Sequence, residues 1–392
     1  MMDSLLSMFS RLHDSMLDHE GGDDHGRHGH HHENDRDNAY TQTNLISDGF
    51  VPAANINPDL INPWGMSFSP TGPFWVSDNG AGVASINDGA GNPVVVAGGS
   101  EKTIATPPGQ QPGTASPTGQ VFNAFRTEGA FTLSNGSPAA FLFATEDGTI
   151  SGWNGGSQSI LAVDNSSNPS AGSDGEGAVY KGLAIGETAK GVFLYAANFR
   201  HGTVDVFDQN FMPVKSFTDP KLPAGYAPFN VQVLDGKLFV TFALQNADKH
   251  DDVAGAGHGF VDEFSLDGHM LHRVASGGVL NSPWGLAIAP SHFGEFSNDL
   301  LIGNFGDGKI DAFNPKNDHF EGKLLGPDGK PIVIGDLWAL STGNASAGSD
   351  PNALYFTAGV LNEAHGLFGS LTAAPDTDPG KMTGPSAHSG NG

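Results

Sequence analysis

Three histidines in the sequence occupy matching places and could hold a metal ion. His201, His258 and His365 each precede a glycine, in the sequences RHG, GHG and AHG. Three imidazoles and one carboxylate suffice for a divalent site, here with Zn, Cu, Fe or Ca. Glu363 and Glu146 are the nearest candidate carboxylates, and either could act as a catalytic acid or base. The alternative is that the three rings make separate hydrogen bonds in turns.

A second set of side chains could contact a bound small molecule. Turns explain part of this set, because Asn-Gly and Asp-Gly pairs form turns without any ligand. Its tryptophans could equally pack between neighbouring strands. The predicted ligand-binding residues are Asn79, Arg200, Asn246, Asn304, Trp64 and Trp284.

The N-terminal region combines an apolar stripe with a histidine-rich stretch. Residues 3–17 place Leu, Met and Phe at helical spacing, which predicts a short amphipathic helix that could support oligomer formation. The following stretch, HEGGDDHGRHGHHHENDRDN, is too polar to drive folding and is predicted to be disordered. Clustered imidazoles can also chelate metals, so a metal-binding segment is the alternative to a plain linker. The histidines concerned are His28, His30, His31 and His32.

Between residues 41 and 374 the sequence repeats one plan of short strands. In residues 281–332 it reads NSPWGLAIAP, DLLIGNF and KIDAFNP, followed by a turn into an outer strand. A period of about 50 to 60 residues with four strands per unit is typical of propeller blades. The chain is therefore predicted to be an all-β, six-bladed β-propeller. The six units open near Trp64, Val121, Lys181, Phe229, Trp284 and Trp338.

The last unit lacks an outer strand, because GLFGSLT is followed directly by a Pro-rich tail. The segment Thr41–Ser47 precedes the first unit and alternates as a strand does. We predict that it completes the last blade and closes the ring, which removes exposed strand edges. The predicted organisation is residues 1–40 as helix and disordered segment, 41–374 as propeller and 375–392 as disordered tail.

Propeller geometry predicts where chemistry would lie. The loops between second and third strands share one face with the connections that enter each inner strand. All candidate residues of the propeller belong to these loops or openings. The long loop of residues 244–259 is a further candidate for a lid or binding loop, because long loops cost closure entropy.

Composition excludes several classes of function. With 18 basic and 43 acidic residues, the formal charge of −25 disfavours binding to nucleic acid and to anionic membranes. The absence of cysteine excludes disulfides, thiolate metal sites and a cysteine nucleophile. No run approaches the roughly 18 apolar residues of a membrane-spanning helix.

The motif series resembles an uncharacterised family of bacterial propeller proteins. The resemblance covers about residues 41–374, in NLISDGFVPAANINPDLINPWGMSFSPTGPFWVSDNGAG, GTISGWN, LYAANF, SPWGLAIAP and LLIGNFGDGKIDAF. Members are often exported and sometimes carry a PEP-CTERM sorting signal, which implies an extracellular or cell-surface location. This chain departs from them, because it shows neither a recognisable signal peptide nor such a signal.

More distantly, the P-W-G openings look like those of NHL-type propellers, virginiamycin B lyase and gluconolactonase-like enzymes. That resemblance implies metal-dependent lyase or lactonase chemistry at the channel mouth. Two functions thus stay open: a binding or scaffold propeller that captures a small molecule, a glycan or a protein partner, and a metal-dependent enzyme. A third gives the histidine-rich segment a role in metal buffering or assembly.

Overall fold

In the described part of the chain, the strands form six sheets, which are antiparallel except for one parallel pair at the edge of the last. The computed structural model describes residues 38–96, 103–109, 113–167 and 177–374. The six-bladed β-propeller predicted from the repeats is confirmed. The predicted N-terminal helix, the histidine-rich segment with its four candidate ligands, and the predicted tail of residues 375–392 lie outside the described residues.

The strands are named in chain order. The chain starts with β1 (Tyr40–Ser47) and β2 (Asn55–Ile56). Blade 1 contains β3 (Pro63–Ser67), β4 (Phe74–Asp78), β5 (Val83–Asn87) and β6 (Thr103–Ala105). Blade 2 contains β7 (Pro117–Phe122), β8 (Phe141–Thr145), β9 (Thr149–Trp153) and β10 (Ile160–Asp164). Blade 3 contains β11 (Tyr180–Thr188), β12 (Gly191–Asn198), β13 (Thr203–Asp208) and β14 (Pro213–Phe217).

The remaining blades follow the same order. Blade 4 contains β15 (Tyr226–Leu234), β16 (Lys237–Leu244), β17 (Phe260–Phe264) and β18 (Met270–Ser276). Blade 5 contains β19 (Pro283–Ile288), β20 (Leu300–Asn304), β21 (Ile310–Phe313) and β22 (Phe320–Lys323). Blade 6 contains β23 (Leu337–Thr342), β24 (Leu354–Ala358) and β25 (Leu367–Ala373), to which β1 and β2 are added.

The N-terminal strand closes the ring. β1 pairs antiparallel with β25, with Thr41 opposite Thr372 and Ser47 opposite Leu367. β2 then pairs in parallel with the end of β1. The predicted closure by Thr41–Ser47 is confirmed, so the first and last strands of the propeller share one sheet.

Neighbouring blades pack face to face, and their apolar side chains form the core. For example, Leu142 of β8 and Leu194 of β12 are fully buried in one cluster between blades 2 and 3. Because successive side chains of a strand point to opposite faces, each sheet contributes to the clusters on both of its sides. In the described part of the chain, no helix combines the length and hydropathy that crossing a bilayer requires.

Inner strands of adjacent blades approach too closely for side chains at some positions. A Cβ atom on Gly65 would lie 2.3 Å from the carbonyl oxygen of Thr118, and one on Gly119 would lie 2.3 Å from the backbone nitrogen of Leu183. Glycine is therefore required where these strands converge on the channel. This contact explains the glycine in the P-W-G openings of blades 1 and 5 and in the P-T-G opening of blade 2.

A left-handed residue precedes the inner strand in three blades. Asn62, Ser282 and Asp336 have φ values of 48°, 48° and 54°. This conformation costs roughly 1 to 2 kcal/mol for residues with a side chain, and it is best tolerated by Asn and Asp. The bend brings the chain from the outer strand of one blade to the channel, where Asn62 contributes to the site described next.

Candidate functional site

A group of aromatic rings closes the channel just inside its mouth. Trp64 and Trp338 stack with their ring centroids 3.5 Å apart, and Trp284 packs edge-on against Trp64 at 6.2 Å. Blades 1 and 5 are not neighbours in the ring, so the contact between Trp64 and Trp284 must cross the axis. We call this group the aromatic cluster, formed by Trp64, Phe199, Phe229, Trp284, Phe305 and Trp338.

A buried lysine lies on this cluster. The Nζ atom of Lys181 is 4.9 Å from the centroid of the Trp64 ring, forms an ion pair with Glu146, and lies 3.4 Å from Oδ1 of Asp251. Only 2% of the Lys181 side chain is exposed. Burial alone would lower the pKa of Lys181, but the carboxylates of Glu146 and Asp251 outweigh it and hold the pKa above its ordinary value. Lys181 is therefore a fixed positive charge at neutral pH.

Carboxamides connect this ion pair to the carboxyl group on blade 6. Asn79 donates a hydrogen bond to Oε2 of Glu146 (2.9 Å), and Asn62 donates one to Oε2 of Glu363 (2.7 Å). The Nδ2 atom of Asn62 also lies 3.4 Å from Oδ1 of Asn79. The indole of Trp338 donates to Oδ1 of Asn62, which fixes the orientation of that amide. These contacts link blades 1, 2 and 6 by hydrogen bonds.

The long loop between β16 and β17 supplies the most exposed groups. Nδ1 of His250 donates to Oδ1 of Asp251 over 2.8 Å, and Asn246 accepts a hydrogen bond from the backbone of His250. The bond from His250 lowers the pKa of Asp251 to about 2, with the charge of Lys181 adding to the effect. The Asp251 side chain is 61% exposed, so this carboxylate faces solvent. We call the connected set the mouth network, formed by Asn62, Asn79, Glu146, Lys181, His250, Asp251 and Glu363.

Glu363 titrates near neutrality. Burial raises its pKa to about 7, and repulsion from Glu146 adds to the increase, while the hydrogen bond from Asn62 and the charge of Lys181 oppose it. At pH 7 the mouth network therefore includes the ammonium of Lys181, the ionised carboxylate of Asp251 and the carboxyl group of Glu363, which is about half protonated.

Replacing Glu363 with Gln should make stability less sensitive to pH. Folding raises the pKa of Glu363 from 4.5 to about 7. The protonated side chain therefore contributes fully to the stability of the folded state below pH 4.5, and this contribution is lost as the pH rises through 7. We expect the free energy of unfolding of Glu363→Gln, relative to that of the original chain, to increase by about 1 to 3 kcal/mol between pH 5 and pH 8. Thermal unfolding across this range measures it.

The matched control is Glu128→Gln, which removes an equal charge from an exposed 3-10 turn. A difference between Glu363→Gln and the original chain that is the same at pH 5 and pH 8 would contradict the assignment.

The structure does not bring the three glycine-preceding histidines together. In the described part of the chain, a single group of three or more His, Asp or Glu side chains has its ligand atoms within 4.8 Å of one another, and it contains none of them. The predicted ligand set therefore needs correction, because each ring bonds to a neighbour in its own part of the rim. The pairs are His201 with Asn198, His258 with the carbonyl of Val253, and His365 with Asp48.

The group that does come together consists of Glu146, His250 and Asp251. Lys181 already lies within hydrogen-bonding distance of both carboxylates, so a divalent ion would have to bind beside its ammonium. Both oxygens of Glu146 already accept hydrogen bonds, from Lys181 and from Asn79, so few ligand atoms of this group are left for a metal ion. The group fits an ammonium better than a metal ion.

The other predicted ligand-binding residues lie in four places. Asn79 belongs to the mouth network, and Asn246 supports the loop that carries it. Asn304 is fully buried and donates to Asp311, which makes it a structural residue of blade 5. Arg200 donates to the carbonyl of Gly177 on the rim. Trp64 and Trp284 are buried in the aromatic cluster, so packing is the role that their burial supports.

Sequence reasoning named Glu146 and Glu363 individually but missed Asp251. The signal available for Asp251 was the unusual length of its loop, which indicates a binding loop without showing which side chain turns inward. Lys181 was visible as the opening residue of the third unit, where four of the other five units have Trp or Phe.

Two viral proteins are similar to most of this chain. The uncharacterized protein R648 of Acanthamoeba polyphaga mimivirus is 31% identical over 337 residues, which span 83% of this chain and 78% of the viral protein. The uncharacterized protein L690 of the same virus is 31% identical over 341 residues, covering 83% of this chain and 84% of that protein. No family model matches the chain. These relatives do not support the expected bacterial family, and the extracellular location inferred from it stays a prediction.

One solved structure supports the fold, and a second is reported beside it. A streptogramin B lyase is similar to this chain with a TM-score of 0.50 and 12% identity, covering 86% of this chain and 97% of the lyase. Virginiamycin B lyase from Staphylococcus aureus has a TM-score of 0.49 and 14% identity, covering 86% of this chain and 99% of that protein. At this level of identity, the first similarity establishes a shared propeller fold and leaves the chemistry of the mouth to be argued from its own residues.

Proposed function

We propose that this chain, which belongs to one family with the mimivirus proteins R648 and L690, binds a small organic amine at the mouth of its propeller channel. The observation that carries the proposal is the charge arrangement of the mouth network. Its acceptors outnumber its one ammonium, and the most exposed of them is the carboxylate of Asp251. A ligand that donates hydrogen bonds and carries one positive charge complements such a surface.

The buried half of the network prepares this surface for binding. Lys181, Glu146, Asn79 and Asn62 bond to one another beneath the mouth, so they need no ligand to be satisfied. They hold the neighbouring carboxylates in place before a ligand arrives, which lowers the entropic cost of binding. The chain-wide charge of −25 would also attract a cation over long range.

A single positive charge fits better than a divalent ion. Lys181 and Asn79 already bond to the two oxygens of Glu146, which leaves a metal ion few ligand atoms. An amine can also bond to the exposed side of Asp251, whereas a metal ion needs several ligands at short distance. A bound metal ion, foreseen from the sequence, is therefore the less favourable occupant of this site.

Binding should depend on Asp251. We expect ethanolamine, used as the probe, to bind the original chain and to lose about 10- to 100-fold in affinity on Asp251→Asn, because a charged hydrogen bond contributes about 1.5 to 3 kcal/mol. Titration calorimetry at low ionic strength measures it. Asp328→Asn, which neutralises an exposed aspartate of a distant turn, is the matched control and should bind as the original chain does.

Two further probes decide the class of ligand. N-acetylglucosamine tests for a neutral polyol, and Zn²⁺ or Ca²⁺ tests for a metal. The amine assignment would be overturned if the sugar or a metal ion binds saturably, if that binding is lost on Asp251→Asn, and if ethanolamine does not bind. Binding of the amine that Asp251→Asn leaves unchanged would overturn the site.

An acid–base enzyme is a second candidate, and one observation favours it. Glu363, with a pKa of about 7, can both accept and donate a proton at neutral pH. The bond between Nδ1 of His250 and Asp251 leaves Nε2 of that ring as a second proton acceptor. Turnover of a lactone or another base-labile substrate that is abolished by Glu363→Gln would establish this function, and amine binding alone would not require it.

A further inference from the structure

A second cavity lies deeper in the channel, beyond the aromatic cluster. It has a volume of about 300 Å³ and is lined by the inner strands of blades 1, 2, 3, 4 and 6, together with Trp284 of blade 5. In the inner strands, the lining residues come later in the sequence than the residues that lie near the mouth. Gly65 to Phe68, for example, come directly after Trp64. Since the aromatic cluster crosses the axis between the two regions, this lower-channel cavity is separate from the mouth network.

The wall of the lower-channel cavity carries no charge. None of its lining residues is Asp, Glu, Lys, Arg or His, although the chain has 43 acidic and 18 basic residues. Its deeper carboxamides are already satisfied by the protein. Gln120 donates to the carbonyls of Gly65 and Trp75, and Asn230 donates to the carbonyl of Trp284. The cavity therefore does not demand a charged or strongly polar occupant.

Apolar side chains line the cavity on four of the six blades. Phe68, Phe122, Ile185 and Val233 come one from each of blades 1 to 4, and all four are only partly buried. Removing this apolar surface from water favours binding of an apolar partner. The exposed wall contains polar atoms in comparable measure, so the partner should be an uncharged apolar molecule that also carries a polar group.

We propose that the lower-channel cavity binds an uncharged, mainly apolar small molecule about the size of a substituted naphthalene. The volume lies at the lower end of the range for small-molecule sites. A protein partner does not fit, because a stable interface buries about 800 Å² on each side and this cavity lies inside a closed ring. The site is independent of amine binding at the mouth.

The neutral dye N-phenyl-1-naphthylamine tests the proposal through its fluorescence in apolar surroundings. We expect saturable binding of one dye per chain. Gln232→Trp places a large side chain in the cavity wall and should weaken binding at least 10-fold. Gln42→Trp makes the same change on the exposed face of β1 and should leave dye affinity unchanged. Gln232→Glu keeps the shape of the side chain and adds a charge, and it should weaken dye binding similarly. It replaces the Trp variant in this test if that variant does not fold.

Displacement of the dye tests the chemical class. Neutral 2-naphthol should compete, and the anion 2-naphthalenesulfonate should compete at least 10-fold less well. Absence of saturable dye binding, equal affinities for the Gln232 and Gln42 variants, or equal competition by the anion would each overturn the proposal.

Discussion

Lys181→Met should destabilise the folded protein by about 3 to 5 kcal/mol, because the substitution leaves the largely buried carboxylate of Glu146 without its countercharge. The methionine side chain keeps most of the lysine's volume, so the loss reports the missing charge more than a cavity. Equilibrium unfolding in urea at pH 7.5 measures the difference.

Two comparisons separate charge from packing. Lys190→Met removes a lysine that is 73% exposed in an ion pair with Asp267, and we expect a change below about 0.5 kcal/mol. Lys181→Met combined with Glu146→Gln should recover a large part of the loss, because no unpaired charge remains. If the double variant is as unstable as Lys181→Met alone, the ion pair is not the cause.

A disulfide across the closing strands should stabilise the ring by about 2 to 4 kcal/mol. Thr41 and Thr372 are register partners on β1 and β25, and neither is buried. The chain contains no cysteine, so Thr41→Cys with Thr372→Cys can form a disulfide within the chain only between these two residues. The bond would join the two ends of the propeller, and thermal unfolding with and without dithiothreitol measures its effect on one protein.

The register provides a matched control for this prediction. In Thr43→Cys with Thr372→Cys the two positions are offset by two residues, because Thr43 pairs with Ser370. Their Cα atoms are then roughly 8 Å apart, beyond the span that a disulfide bridges without backbone movement. Equal stabilisation by both pairs, or none by the aligned pair, would contradict the register of the closing strand.

The fold could be predicted from the sequence because the patterns that indicate it extend over only a few residues. Each strand is a run of two to nine residues bounded by turn residues, and the same order recurs six times. The missing outer strand of blade 6 and the spare strand Thr41–Ser47 could be matched by counting alone. The glycine of the P-W-G opening also has a structural reason, because the inner strands at Gly65 are too close together for a side chain.

Only part of the candidate site could be predicted from the sequence. Repeat position correctly indicated the face of the propeller on which Asn79, Glu146 and Glu363 lie. It did not indicate depth, because a loop residue can point to the axis or remain on the rim. His365 shows this limit: its ring stacks on Phe50 at 3.9 Å and bonds to Asp48, away from Glu363 only two positions before it.

By itself, the sequence of this protein determined a closed ring of six sheets and the face that carries its loops, because backbone hydrogen bonds, strand alternation and turn chemistry act over a few residues. The tertiary structure alone decided which side chains meet at the axis. Asn62 and Glu363 are 301 positions apart, and Lys181 reaches Asp251 across 70. Side-chain direction in loops depends on packing between blades. Burial among those neighbours raised the pKa of Glu363, and the nearby carboxylates kept Lys181 charged despite its burial.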